Sequence, residues 1–212
     1  MWMYEVFDLG MDIFNGKPIQ VCCDWNQKLF LIEACSSDEQ LLLSWRNEEK
    51  TRQQSVTSHI ISSEDHHNWF HGVLEDPNIK ILILYLGGHP IGSIRFECCG
   101  GQAMISYSVD CGYRGLGLGT KLICMAINYA EKKLNVSQLF AETKENNYMS
   151  QKVLLVNDFH PIGISSEQGI ITFGRVLTPP PLEGCLARKK VFICIYAFQC
   201  SPFRLVERRG VK

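Results

Sequence analysis

Between Tyr107 and Leu122 the sequence reads YSVDCGYRGLGLGTKL. One arginine and three alternating glycines, Gly115, Gly117 and Gly119, fall between a strand-like stretch and a long helical one. Glycines let backbone N–H groups approach a ligand with no Cβ in the way. A helix N-terminus adds unpaired N–H groups and the positive end of its dipole. Arg114 adds a fixed positive charge. The chemistry offered by Arg114, Gly115, Leu116, Gly117, Leu118, Gly119 and Thr120 is the cradling of pyrophosphate oxygens. Two common phosphate motifs do not fit: a P-loop needs Gly-Lys-Ser/Thr after four intervening residues, and a dinucleotide fingerprint needs GxGxxG.

Other chemistry-bearing residues are scattered. WRN at Trp45–Asn47 is followed by SSEDHHNWF from Ser62 to Phe70. His67 and His71 stand four apart, a metal-ligand spacing, but no HExxH glutamate and no third ligand are apparent, so a solvated helix face is expected and no metal. Ten cysteines include two adjacent pairs but no CxxC and no repeated ligand spacing, which reads as reduced thiols and a cytoplasmic chain.

The elements that must position these residues follow from periodicity. KLFLIEA reads as a strand. Ser36 with Glu39 fits a capping box before a helix, and Ser62 or Ser63 caps a second one. IKILILYL, HPIGSIRFE and AMISYSVD form a meander through Gly87-Gly88 and Gly100-Gly101. GTKLICMAINYAEKKL is the strongest helix. QLFAE is a short strand, NYMSQKVLLV a helix, and FHPIGI with GIITFGRVL a closing hairpin. The order β-α-α-β-β-β-α-β-α-β-β predicts an α/β (α+β) fold, a mixed sheet with helices on both faces. Three domain segments are expected: an extension over 1–28, a domain over 29–177, and a tail over 178–212 after the prolines at Pro179–Pro181.

Arg114, Gly117 and Gly119 in the pattern Arg-x-x-Gly-x-Gly resemble the coenzyme A loop of the Gcn5-related N-acetyltransferases. YSVD resembles the strand before that loop, and FAETKENNYMSQKVLLVNDF the later segment in which Asn147, Ser150 and Phe159 match recurring positions. The element order matches too, over roughly residues 29–177. The resemblance implies a mostly antiparallel sheet, acetyl-CoA as co-substrate, and backbone N–H groups around Val109 and Asp110 for the pantetheine and the thioester carbonyl. It implies contacts to the cofactor from Asn147 and Ser150. Two residues depart from it: Leu154 stands where a tyrosine general acid is usual, and Asp158 where a glycine is usual. Acetyl transfer to an amine needs a base for the ammonium proton, and Glu142, on the strand facing the splay, is the first candidate. Tyr107 would line the site.

WRN with the later H-x-x-W-F resembles enzymes that acetylate the 4-amino group of a nucleotide-linked amino sugar in pseudaminic acid synthesis. That likeness implies a sugar-nucleotide pocket lined by Arg46 and His66, with Trp45 nearby and Trp69 beside them. Two alternatives stay open: a ribosomal-protein or N-terminal peptide acetyltransferase, and a non-catalytic coenzyme A-binding domain.

The net charge of −1 excludes a basic field for nucleic acid. The charge is uneven: about +5 in residues 178–212 and about −6 in residues 1–177. The tail would add a strand, pair in a homodimer, or stay poorly ordered. The longest apolar run, Val191–Cys200, is too short to span a bilayer.

Overall fold

The computed structural model describes residues 29–166 and 169–177. The expected extension over 1–28 and tail over 178–212, including a strand or dimer contact from the tail, lie outside the described residues. Seven strands form one sheet in the order β1-β2-β3-β4-β5-β7-β6. The strands are β1 (Leu29–Glu33), β2 (Ile79–Leu86), β3 (His89–Cys99), β4 (Gln102–Val109), β5 (Gln138–Lys144), β6 (His160–Ser165) and β7 (Ile170–Val176). Every neighbouring pair is antiparallel except β4 and β5. This is the α/β, mostly antiparallel sheet expected, with helices on both faces.

Among the described residues there are five α-helices, of which all but α2 pack on the sheet: α1 (Glu39–Asn47), α2 (Glu49–Gln54), α3 (Ser63–Glu75), α4 (Leu118–Lys133) and α5 (Tyr148–Val156). Strand alternation divides the core. Leu82 and Leu84 of β2, Ile105 of β4, and Leu139 and Ala141 of β5 join the stripe of α4 and Leu154 of α5. On the other face, Ile81 and Ile83 meet Leu42 and Trp45 of α1 and Phe70 and Val73 of α3.

Two local expectations need correction, and a third is narrowed to one residue. A third helix, α2, stands between the two expected ones. EKTRQQ buries none of its residues, so it carries no apolar stripe for periodicity to detect. The expected Ser36–Glu39 box is displaced by one residue. Cys35 precedes a 3-10 turn over Ser36–Asp38, and its N–H donates to Asp38 Oδ2 at 2.8 Å. Ser62, not Ser63, caps α3, its Oγ accepting from the N–H of Asp65 at 3.0 Å.

β3 and β4 approach closely at one end. A Cβ on Gly92 would lie 2.6 Å from the Ser108 carbonyl oxygen, so only glycine fits. Asp158, where the resembled family has glycine, holds φ at 57°. The left-handed conformation is therefore kept without glycine, and Asp158 Oδ2 accepts from Arg175 Nη1 at 3.0 Å.

Candidate active site

β4 and β5 pair only from Gln102↔Gln138 to Ile105↔Ala141. Beyond Ile105 the two strands part, while β4 stays paired to β3 as far as Gly92↔Val109. The gap exposes the backbone of the last residues of β4. The N–H of Asp110 donates to the Ile91 carbonyl at 2.9 Å. Alternation in an antiparallel ladder then turns the N–H groups of Tyr107 and Val109 away from β3, into the gap. Of the two expected donors, Val109 has an N–H open to a ligand and Asp110 does not, because its N–H completes the β3–β4 ladder.

Asp110 instead organises the loop that follows. Its Oδ1 accepts from the N–H of Gly112 at 2.9 Å, and its Oδ2 from the indole N–H of Trp45 at 2.8 Å. Trp45 is buried. It ties α1 to the end of β4 instead of lining a pocket, which corrects its expected role.

Gly115 and Gly117 hold φ at 80° and 76°, a region that favours glycine. Gly117 is the N-cap of α4 and offers no side chain to its first turn. The first helical bond runs from the Lys121 N–H to the Gly117 carbonyl. The N–H groups of Leu118, Gly119 and Thr120 precede it and have no intrahelical acceptor. They and the dipole of a 16-residue helix fit a pyrophosphate. Leu118 contributes only its N–H, since its side chain belongs to the core, whereas Leu116 is exposed.

Arg114 stands beside this cradle, already engaged. Its Nε donates to the Val109 carbonyl, and its Nη2 to Glu48 Oε2 and Thr51 Oγ1, each at 2.9 Å. The guanidinium holds the Glu48 carboxyl down at about 2. On the far side of the gap, Lys144 Nζ donates to the Gln53 carbonyl at 2.7 Å. α2 is thus fastened to both lips of the gap.

Tyr107 and Ser150 meet on the α4–α5 side, their hydroxyls 2.9 Å apart. Burial pushes the Tyr107 phenol up to about 12, against the opposing bond from Ser150. Tyr107 therefore lines the gap away from the Arg46–His66 face. Asn147 caps α5, its Oδ1 accepting from the Ser150 N–H at 3.2 Å, so its described role is to fix Ser150.

Glu142 is the first residue of β5 beyond the last β4 pair, and it is exposed. It shares a face with Phe140, opposite to Leu139 and Ala141. Register carries that face across the sheet to Ser106 and Arg95, and on to Ile81 beneath α1 and α3.

On this face, Arg46, His66, Trp69 and Arg95 form a wall. Arg46 Nη2 donates to the Thr57 carbonyl at 2.7 Å, and Asn47 makes paired bonds with the Ile61 backbone at 2.8 and 2.9 Å. Much of WRN thus fixes the segment between α2 and α3. Yet Arg46 Nη1, His66 Nδ1 and Arg95 Nε are buried with no partner. Burial, then the charges of Arg52 and Arg95, lower the Arg46 pKa, and burial lowers that of His66. Arg95 Cζ lies 5.4 Å from the centroid of the Trp69 ring, and its Nη2 pairs with Glu97. Sequence reading missed Arg95 and Arg52. Nothing local marks Arg95 as different from any polar residue alternating along a strand.

It also missed Glu39 of α1, whose carboxylate reaches both His67 and His71.

A parted β4–β5 pair, a glycine cradle at α4 and a meander before it define one architecture. A family model described as an acetyltransferase (GNAT) domain matches residues 28–160. The chain belongs to that family and is an acetyl-CoA-dependent N-acetyltransferase. No curated protein matches it. Among solved structures, it is similar to a spermidine N-acetyltransferase from Vibrio cholerae in complex with CoA and spermine. The TM-score is 0.67 at 14% identity, over 70% of this chain and 95% of that one. It is also similar to a ribosomal L7/L12 alpha-N-protein acetyltransferase in complex with coenzyme A, with TM-score 0.64 and 18% identity, over 76% and 98%. An aminoglycoside acetyltransferase in complex with coenzyme A gives 0.62 at 17%, over 70% and 95%. At these identities the likeness establishes the fold.

Proposed function

We propose that the acceptor is the 4-amino group of a nucleotide-linked amino sugar. The observation that carries this is the wall of Arg46, His66 and Arg95, where the buried donors Arg46 Nη1 and Arg95 Nε and the buried His66 Nδ1 lack partners beside the face of Trp69. Buried donors without acceptors are costly, about 1–3 kcal/mol each, and a ligand offering acceptors relieves that cost. A diphosphate and sugar hydroxyls are such acceptors. Polycations are not: spermidine and aminoglycosides would meet Arg46, Arg52 and Arg95 on this side. A peptide amine requires no diphosphate site.

Acetyl-CoA supplies the activated acetyl thioester. The N–H groups of Leu118, Gly119 and Thr120 would hold its pyrophosphate with Arg114, and the N–H groups of Val109 and Tyr107 would meet the pantetheine and carbonyl. Glu142 would take the proton of the attacking amine, and the Tyr107 hydroxyl, bonded to Ser150, would protonate the leaving thiolate. Free cysteines among the described residues, Cys35, Cys98, Cys99 and Cys111, fit a cytoplasmic location.

The test is coenzyme A release from acetyl-CoA with a 4-amino-sugar nucleotide, a ribosomal peptide and spermidine. Turnover with the first alone is expected. Turnover with the peptide alone would favour the ribosomal reading, and acetyl-CoA binding with no turnover on any amine the binding-domain reading.

A further inference from the structure

Glu39, His67 and His71 lie outside the acetyl-transfer machinery. His67 Nδ1 is 3.1 Å from Glu39 Oε1, and His71 Nε2 is 3.4 Å from Glu39 Oε2. One ligand atom from each of the three falls within 4.8 Å of the other two. Residues four apart on a helix share a face, and here the two rings lie 4.3 Å apart, tilted by 54°. Ligands around a tetrahedral Zn²⁺, at about 2.0–2.1 Å from the ion, stand about 3.4 Å from one another. The two Glu39–His spacings match that, and the three atoms together lie within 4.8 Å.

We propose that Glu39, His67 and His71 form a divalent transition-metal site suited to Zn²⁺. Two imidazole nitrogens and a carboxylate oxygen are borderline ligands of the kind Zn²⁺ takes, and water would fill the fourth position. The histidine side chains are 57% and 46% exposed, so an ion has an open path, while Glu39, at 15%, fixes the inner corner. The ion would clip α1, which carries Arg46, to α3, which carries His66 and Trp69. Its role is to brace the wall. The proposal does not depend on the nature of the acceptor.

Chelator-treated, reduced full-length protein is titrated with Zn²⁺ by calorimetry and with Co²⁺ by visible absorption. One equivalent should bind at micromolar free ion and raise the Tm. The Co²⁺ spectrum should show tetrahedral bands without thiolate charge transfer. Glu39→Gln and His71→Ala should each weaken binding at least tenfold, and His67→Ala/His71→Ala should abolish it. Both histidines are exposed, so the double variant should fold, as circular dichroism would verify. Absence of Zn²⁺ uptake by the wild type overturns the proposal. So does equal uptake by the double variant, or a thiolate band, since the cysteines would then hold the ion.

Discussion

Leu154 is fully buried in the core, so the α5 residue from which the resembled family draws an acid faces inward in this chain. Tyr107 reaches the gap from β4 instead. Its phenol, pushed up to about 12, stays protonated throughout the working range, as a proton donor to a thiolate must. Tyr107→Phe should lower kcat at least ~10-fold with the pH–rate shape unchanged below pH about 10. The same shift carries a stability signature. A raised phenol pKa stabilises the fold fully below the ordinary value of 10.0 and loses that contribution as pH rises through about 12. Thermal melts should therefore show wild type losing stability relative to Tyr107→Phe over that window. In the proposed mechanism Glu142 would act on the other proton. Glu142→Gln should lower kcat by roughly 10²–10⁴-fold, with unchanged acetyl-CoA affinity and a defect that shrinks at high pH, where the amine is already neutral. A Glu142→Gln profile matching wild type would leave Glu142 as an ordinary strand-end carboxylate.

At the scale of elements, the α4 N-terminus and the β4–β5 gap make the proposed cofactor side. Gly117 is the test position. No neighbour lies within 4 Å of a Cβ there, so Gly117→Val costs the fold only the strain of φ 76°. It should nevertheless weaken acetyl-CoA binding tenfold or more, about 1.4 kcal/mol, because the branched side chain stands over the open N–H groups. Calorimetry on the folded variant decides this, and unchanged affinity would remove the cradle from the account. This side was legible in the sequence because it is contiguous. Residues 114–120 carry the charge, the glycines and the helix start in one stretch. The proposed acceptor wall was legible only in part. Arg46 and His66 stand in recognisable motifs, but Arg95 comes from a strand whose alternation looks ordinary. α2, which fastens Arg114 and Lys144 across the gap, has too little apolar content to be seen. Trp45 was read as a pocket residue because sequence alone does not reveal that Asp110, 65 positions away, accepts its indole proton.

Across the described domain, the sheet separates two sets of residues. The face under α4 and α5 carries Tyr107 and Ser150, the face under α1 and α3 carries Arg46, His66, Trp69 and Arg95, and the gap between β4 and β5 joins them. In the proposed function, the second face reads the anionic part of the acceptor. The direct measurement is kcat/KM for a nucleotide-linked 4-amino sugar against the same sugar without its nucleotide, in wild type, Arg46→Ala and Arg95→Ala. Wild type should strongly prefer the nucleotide-linked form. Each variant should reduce that preference tenfold or more, about 1.4 kcal/mol, through KM, with acetyl-CoA affinity unchanged. The same ratio in all three proteins would contradict it.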